Sequence, residues 1–409
     1  MTSTKDDLEG KYVLERDVWA DGPPHELFRQ MRNECPVHWS PGMTEFPTEA
    51  GFWSVTLPDD IHAVSRDFKT YSSEIGGVTA ANVGFPVEYS RAMFIGMDPP
   101  KHDRLKMLFQ AGFTPKRIAM HEDAIKAITC RVLDRLEGRE TCDLVADVAQ
   151  PTVARVIGSF MGVPEEDDAT WAILMNELLG AGDPDLNPEG PEAILGRLLP
   201  QLFEGCAKLI ADRRENPTDD LTSVLVNAEI DGERLEDHEI TMGFFLLMAA
   251  GNDSTKATYC SGMRALMENP AERQKVIDDP SLIPSLVEES LRMYPAFAHF
   301  RRTATVDTEL NGTQIKKGDK VVLWYVSSNR DDNLYEDPDR FDVERNPEHQ
   351  AFGAGGRHFC LGTALARLEL RTMFEETLKR YPNMSMNGKP TYVESGFINQ
   401  LKTLPVRLG

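Results

Sequence analysis

Cys360 stands in FGAGGRHFCLG, between a glycine-rich stretch and LGTALARLELRTMF, a segment whose apolar spacing predicts an amphipathic helix. A cysteine at a helix N-terminus meets unpaired backbone N–H groups and the positive end of the helix dipole, and both favour its thiolate. Glycines at 353, 355, 356 and 362 let the backbone approach a flat ligand closely. A soft anionic sulfur in such a place can ligate a metal, and on a haem iron it would push electron density toward bound dioxygen and favour O–O cleavage. Taken alone, the same cysteine reads better as a buried core thiol beside a loop.

Three further motifs shift that balance. Glu289-Ser-Leu-Arg292 places an acid and a base one helical turn apart, and Arg345, downstream in an aperiodic stretch, could join them in a buried charge network holding the loop beneath the ligand. Leu246–Lys256 reads LLMAAGNDSTK, an apolar helix that turns polar in its middle. Gly251 and the hydroxyls of Ser254 and Thr255 can loosen the backbone ladder into a groove for dioxygen and water, with Asp253 and Ser254 delivering protons. Met97–Lys106 reads MDPPKHDRLK, a helix start with Asp98 as the expected N-cap. His102 and Lys106 share its face and, with Arg302 and His358, are suited to pair with carboxylates of the ligand.

These residues need a large scaffold. The chain has 409 residues, 41% of them hydrophobic, which supports a substantial core and excludes a disordered or fibrous class. Its 44 Lys and Arg against 66 Asp and Glu give a net charge of −22, the wrong sign for a nucleic-acid binder. No apolar run approaches the ~20 residues that span a bilayer, and the polar N-terminus has no signal pattern. We therefore expect no membrane anchor and a cytoplasmic location. The six scattered cysteines predict neither disulfides nor a zinc site. Helical periodicity runs through Arg117–Leu136 and Ile194–Ala211, the latter with a kink at Pro200. Val37–Ser40 with Phe52–Leu57, and the stretch Phe300–Val326 around Asn311-Gly312, read as hairpins. Residues 333–351 read as an ordered meander. The organisation expected is an acidic N-terminus over 1–20 and one domain over 21–409, mainly α with small β-sheets.

The four motifs, in this order over most of the chain, resemble the cytochrome P450 family. The resemblance implies a triangular helical prism around a buried haem b. It makes Cys360 the proximal iron ligand and Phe352 the shield of its sulfur, and assigns Glu289, Arg292 and Arg345 to a structural triad. His102, Lys106, Arg302, His358 and Gly362 fall at cofactor-binding positions, and Asp253, Ser254 and Thr255 at the oxygen-activating ones. Three departures stand out: Ser254 where threonine is usual, eight residues from Phe352 to Cys360 where seven is commoner, and Lys106 where arginine is more frequent.

The implied activity is a monooxygenase that uses O2 and two electrons from a separate ferredoxin and ferredoxin reductase. That partner would dock near Lys101, Arg104, Lys106, Lys116, Arg117, Arg357, Arg367 and Arg371. The branch resembled hydroxylates sterols, methyl-branched lipids and terpenoids. A pocket of Phe85, Phe244, Met248, Ala250, Phe297 and Phe397 suits an apolar substrate, with His299 as a donor to a substrate oxygen. The alternatives are a peroxygenase or isomerase needing no ferredoxin, and a non-catalytic haem sensor.

Overall fold

The fold is organised around one long helix. The structure, a computed structural model, describes residues 12–82, 86–190, 193–230 and 232–409. The helices that position the site are α1 (Lys101–Gln110), α2 (Gln150–Met161), α3 (Asp168–Leu179), α4 (Asp237–Glu268), α5 (Ile283–Met293) and α6 (Thr363–Arg380). At 32 residues, α4 is about 48 Å long. It starts at a capping box between Glu236 and Glu239, and it stops at Asn269, before Pro270.

Two cores meet along α4. Ile240–Ala249 packs with α1, α2 and α3, while Tyr259–Met267 packs with α5 and α6. The polar stretch between them is thus held at the centre of the molecule by apolar burial at both ends. At Gly262 a Cβ would lie 2.6 Å from the Phe374 ring and 2.7 Å from Ser290 Oγ, so only glycine lets α4, α5 and α6 approach this closely.

The main sheet contains β1 (Val37–Ser40), β2 (Phe52–Val55), β3 (Tyr71–Ser72), β4 (His299–Ala304) and β7 (Lys320–Trp324), in the order β1-β2-β7-β4-β3. Only the β2–β7 pair is parallel. The hairpin expected across 300–326 is nested: β4 pairs with β7, and a small hairpin, β5 (Thr308–Leu310) with β6 (Thr313–Ile315), projects between them. Its tip, Asn311-Gly312, has φ of 47° and 73°, the double left-handed turn that matches strand twist.

Three local expectations change. The helix expected over Arg117–Leu136 divides into Pro115–Ala119 and Glu122–Asp134. The break near Pro200 falls earlier, as a wide π-turn over Ile194–Leu198 that absorbs the missing proline N–H. Asp98 does not cap α1; its carboxylate accepts from the Ser72 hydroxyl and, at 2.9 Å, from the Ser73 N–H, tying the approach to α1 onto β3. All six cysteines are free thiols. Among the described residues no helix is long and apolar enough to cross a membrane.

Candidate active site

The meander and the cysteine loop hang on one buried carboxylate. Glu289 and Arg292 are both fully buried on α5, with Arg292 Nε donating to Glu289 Oε2 at 2.7 Å and Nη2 to Oε1 at 2.8 Å. Arg345 Nε and the Asp342 N–H also donate to Oε1, at 3.2 and 3.0 Å. The remaining guanidinium nitrogens spread outward. Arg292 Nη1 reaches the carbonyls of Asn329 and Pro338 at 2.9 Å, and Arg345 reaches those of Glu336, Asp337 and Arg340. The structure thus joins Arg345, distant in sequence, to the Glu289–Arg292 pair in a clamp on residues 329–345.

The loop leading to Cys360 is shaped by glycine. Gly353, Gly355 and Gly356 have φ of 92°, 81° and 77°, and a Cβ on Gly356 would lie 2.4 Å from the Ser65 carbonyl. The Cys360 N–H donates to the Phe352 carbonyl at 2.9 Å, closing the loop one turn before α6. Phe352 packs beneath the Arg367 guanidinium, 4.7 Å from its ring centre. Arg367 also grips Glu288 in a fork of 2.7 and 2.8 Å. Burial alone would raise the Glu288 carboxyl, but Arg367 and His349 outweigh it and hold it at about 2. Cys360 is exposed and lines the inner cavity. Burial raises its thiol, opposed by the Gly362 N–H, Lys106 and Arg367.

Cys360 opens into an inner cavity of about 190 Å³, whose walls include His102, Lys106, Arg302, Phe352, His358, Gly362, Ser254 and Thr255. His102 and His358 lie with ring centres 4.3 Å apart, and His358 Nε2 is 3.2 Å from Ser73 Oγ. His102 Nδ1 is 3.0 Å from Asp103, whereas its buried Nε2 has no partner. Arg302 is 5% exposed and donates only to the Arg301 carbonyl, with no ion pair among the described residues. Burial lowers all three groups, that of His358 well below its ordinary value. A buried guanidinium without an acid, next to an orphaned imidazole nitrogen, fits an anionic ligand group such as a haem propionate. Lys106 differs from expectation: its ammonium is held by the carbonyls of Arg357 and Phe359, the latter at 2.7 Å. It braces the cysteine loop from α1.

The opposite wall is α4. Ser254 Oγ donates back to the Ala250 carbonyl at 2.6 Å, the bond that loosens a helix turn. Asp253 is turned away from the cavity. It is fully buried and ion-paired with Lys256, whose ammonium also reaches Asn176 Oδ1 at 2.6 Å and Gln150 Oε1 at 2.8 Å. The acid expected at the oxygen groove is thus pinned between α2, α3 and α4. The protonated acid on the cavity wall is Glu369 of α6 instead. Burial pushes its carboxyl up to about 8 despite a hydrogen bond with Thr255, so it keeps its proton at neutral pH.

Ile95, Leu246, Ala250, Phe297 and Phe300 line both this chamber and an outer one of about 240 Å³, so the two adjoin along an apolar boundary. Of the expected substrate residues, Ala250, Phe297, His299 and Phe397 line the outer chamber. Phe244 and Met248 do not. Both are core residues, Phe244 with its ring 5.3 Å from Trp171, and Phe245, Leu246 and Ala249 take the lining face. Phe85 lies outside the described residues.

His299 is not available to a substrate. Its Nε2 accepts from the Ala80 N–H at 3.0 Å and its Nδ1 donates to the Gly396 carbonyl at 2.7 Å, knitting three segments together. Burial pulls its pKa down to about 4. The folded value lies below the unfolded one, so this contribution to stability is complete above pH ~6.5 and is lost as pH falls toward 4. The loss amounts to about 3 kcal/mol. Urea unfolding across that window should therefore show a His299→Gln variant with a flatter pH slope than the parent; equal slopes would refute the assignment.

The cations expected to dock an acidic partner are largely engaged within the chain. Arg104 pairs with Glu239, Arg117 with Asp219, Arg357 with Asp103 and Arg371 with Glu122, at 2.6–3.0 Å. Sequence reasoning missed Lys256, Glu369, Asn176 and Gln150. Only Lys256 had a signal, a charge one turn from Asp253 in an otherwise apolar helix.

Comparison with known proteins assigns this architecture. The family model described as cytochrome P450 matches residues 196–400. A methyl-branched lipid omega-hydroxylase of Mycobacterium tuberculosis is 37% identical over 399 residues, 95% of this chain and 92% of that protein. A steroid C26-monooxygenase of Rhodococcus jostii is 32% identical over 97% of this chain and 84% of its own length. A Mycobacterium marinum cytochrome P450 solved with pseudoionone superposes with a TM-score of 0.91 at 37% identity, covering 99% of each chain. The fold and its central cavity are those of a helical haem enzyme. The chain belongs to the cytochrome P450 family and is a P450 monooxygenase of the bacterial kind.

Proposed function

We propose that this enzyme hydroxylates an unactivated C–H bond of a sterol, terpenoid or branched lipid, with haem b held by Cys360. A separate ferredoxin and its reductase supply the electrons, and the cytoplasm is its compartment. The balance is RH + O2 + 2 e⁻ + 2 H⁺ → ROH + H2O. The observation that carries the reading is the apolar outer chamber that adjoins the inner chamber of Cys360 along shared lining residues. The hydrophobic substrates named for two relatives support it.

When bound, the haem supplies the oxygen-activating redox chemistry. The chain supplies the rest. Arg302, His102 and His358 hold the carboxylates, and the clamp on Glu289 keeps the cysteine loop rigid. The N–H of Gly362 steadies negative charge on the sulfur. Phe297, Phe300 and Leu246 keep water from the reacting carbon. Thr255, in contact with the protonated Glu369, and Ser254 hold the protons that the balance requires. Because Ser254 is committed to a backbone carbonyl, Thr255 is the better-placed hydroxyl.

The test is the carbon-monoxide complex of the reduced protein. The parent should show the red-shifted band of a thiolate-bound haem, and Cys360→His should abolish it with loss of turnover. Persistence of the band would refute the ligand assignment. One observation favours a peroxide-driven reading, the seclusion of Asp253 from the cavity. Turnover with hydrogen peroxide that matches turnover with ferredoxin would select it.

A further inference from the structure

The outer chamber has a charge pattern that the apolar character of its walls conceals. Four acidic or basic side chains line it: Arg16, Glu45, His299 and Glu394. Arg16 is already committed, to Glu45 at 3.1 Å and to the Gly182 carbonyl at 3.1 Å. Glu394 is half-buried, and no cation pairs with it among the described residues. His299, the remaining basic side chain of the lining, has both ring nitrogens consumed by the backbone. Among the described residues, an entering carboxylate would thus meet an unpaired negative charge and no free cation.

The same chamber contains an unsatisfied hydroxyl. Ser90 lines it at 4% exposure, and its Oγ has no hydrogen-bond partner. A buried polar atom left unpaired costs free energy that a ligand oxygen recovers on binding. A neutral carbonyl or hydroxyl satisfies this group without bringing charge to Glu394.

Resting on the monooxygenase reading of this cavity, we propose that the outer chamber selects uncharged oxygenated hydrophobic molecules over fatty carboxylates. Ser90 anchors the oxygen and Glu394 rejects the anion. Both are specificity-determining residues of a predominantly apolar site.

Calorimetric titration of the haem-loaded, full-length protein at pH 7.5 tests this with two matched series: farnesol, farnesoic acid and farnesene, and dodecan-1-ol, dodecanoic acid and dodecane. In at least one series the alcohol should bind ten times or more tighter than its acid. Glu394→Gln should narrow that ratio to threefold or less while leaving the alcohol unchanged. Ser90→Ala should weaken the alcohol about fivefold and leave the hydrocarbon unchanged. An acid that binds as well as its alcohol in both series, or no binding by any of the six, overturns the proposal. So does a Ser90→Ala effect equal on alcohol and hydrocarbon. The heat of binding needs no turnover: the expected preferences without oxygen transfer would defeat the monooxygenase reading alone, and turnover without them would defeat this proposal alone.

Discussion

Replacing Glu289 by glutamine should cost about 3–5 kcal/mol of folding stability, read by urea unfolding at 25 °C, because one partner of a buried ion pair is removed while the other stays buried. Glu289 and Arg292 are fully inaccessible, and Glu289 Oε1 alone receives Arg292, Arg345 and the Asp342 N–H. A glutamine can present only one oxygen to these donors, and its amide would confront a guanidinium. Arg345→Ala should cost less. Its side chain is 12% exposed, so water can reach the groups it leaves behind, and the Glu289–Arg292 fork survives. Equal losses for the two variants, or a loss below about 1 kcal/mol for Glu289→Gln, would show that the clamp is not what stabilises the meander.

The second large effect is expected at Lys256. Lys256→Met leaves Asp253, with its Oδ2 already unpartnered, as a buried carboxylate stripped of its cation, and frees the amide oxygens of Gln150 and Asn176. The expected loss is again about 3–5 kcal/mol. Adding Asp253→Asn should recover a large share of it, because the double variant no longer buries a lone charge. A double variant no more stable than Lys256→Met would refute the pairing. Function offers a separate readout. If Asp253 must swing from Lys256 to serve the oxygen groove, Lys256→Arg should keep turnover coupled, whereas Lys256→Met should divert electrons into hydrogen peroxide. Unchanged peroxide release per dioxygen consumed in Lys256→Met would leave Asp253 with a structural role only.

Redox-partner affinity also follows from pairing. With Arg104, Arg117, Arg357 and Arg371 engaged by acids of the same chain, much of the positive field expected for docking is neutralised locally. Charge counts along the sequence could not register this. Asp103 and Arg357, for example, are brought together only when α1 packs against the cysteine loop.

What the sequence determined by itself was local chemistry and order along the chain. The glycines before Cys360, the one-turn spacing of Glu289 and Arg292 and the polar interruption of α4 are short-range features, and short-range geometry follows from residue type. The mainly helical class with small sheets was legible for the same reason, as periodicity. The tertiary structure decided orientation and partnership. α4 is apolar on every side around Phe244–Ala250, so no periodicity could reveal that Phe245 and Ala249 line the chamber while Phe244 and Met248 fill the core. Asp253 looked like a proton donor because its neighbours in sequence were hydroxyls. Its true neighbours, Gln150 and Asn176, come from helices far away in the chain, reached through the ammonium of Lys256. Ser90, His299 and Glu369 take their roles from what the fold leaves unpaired, pairs with backbone or strips of water, and that balance exists only once distant segments have packed.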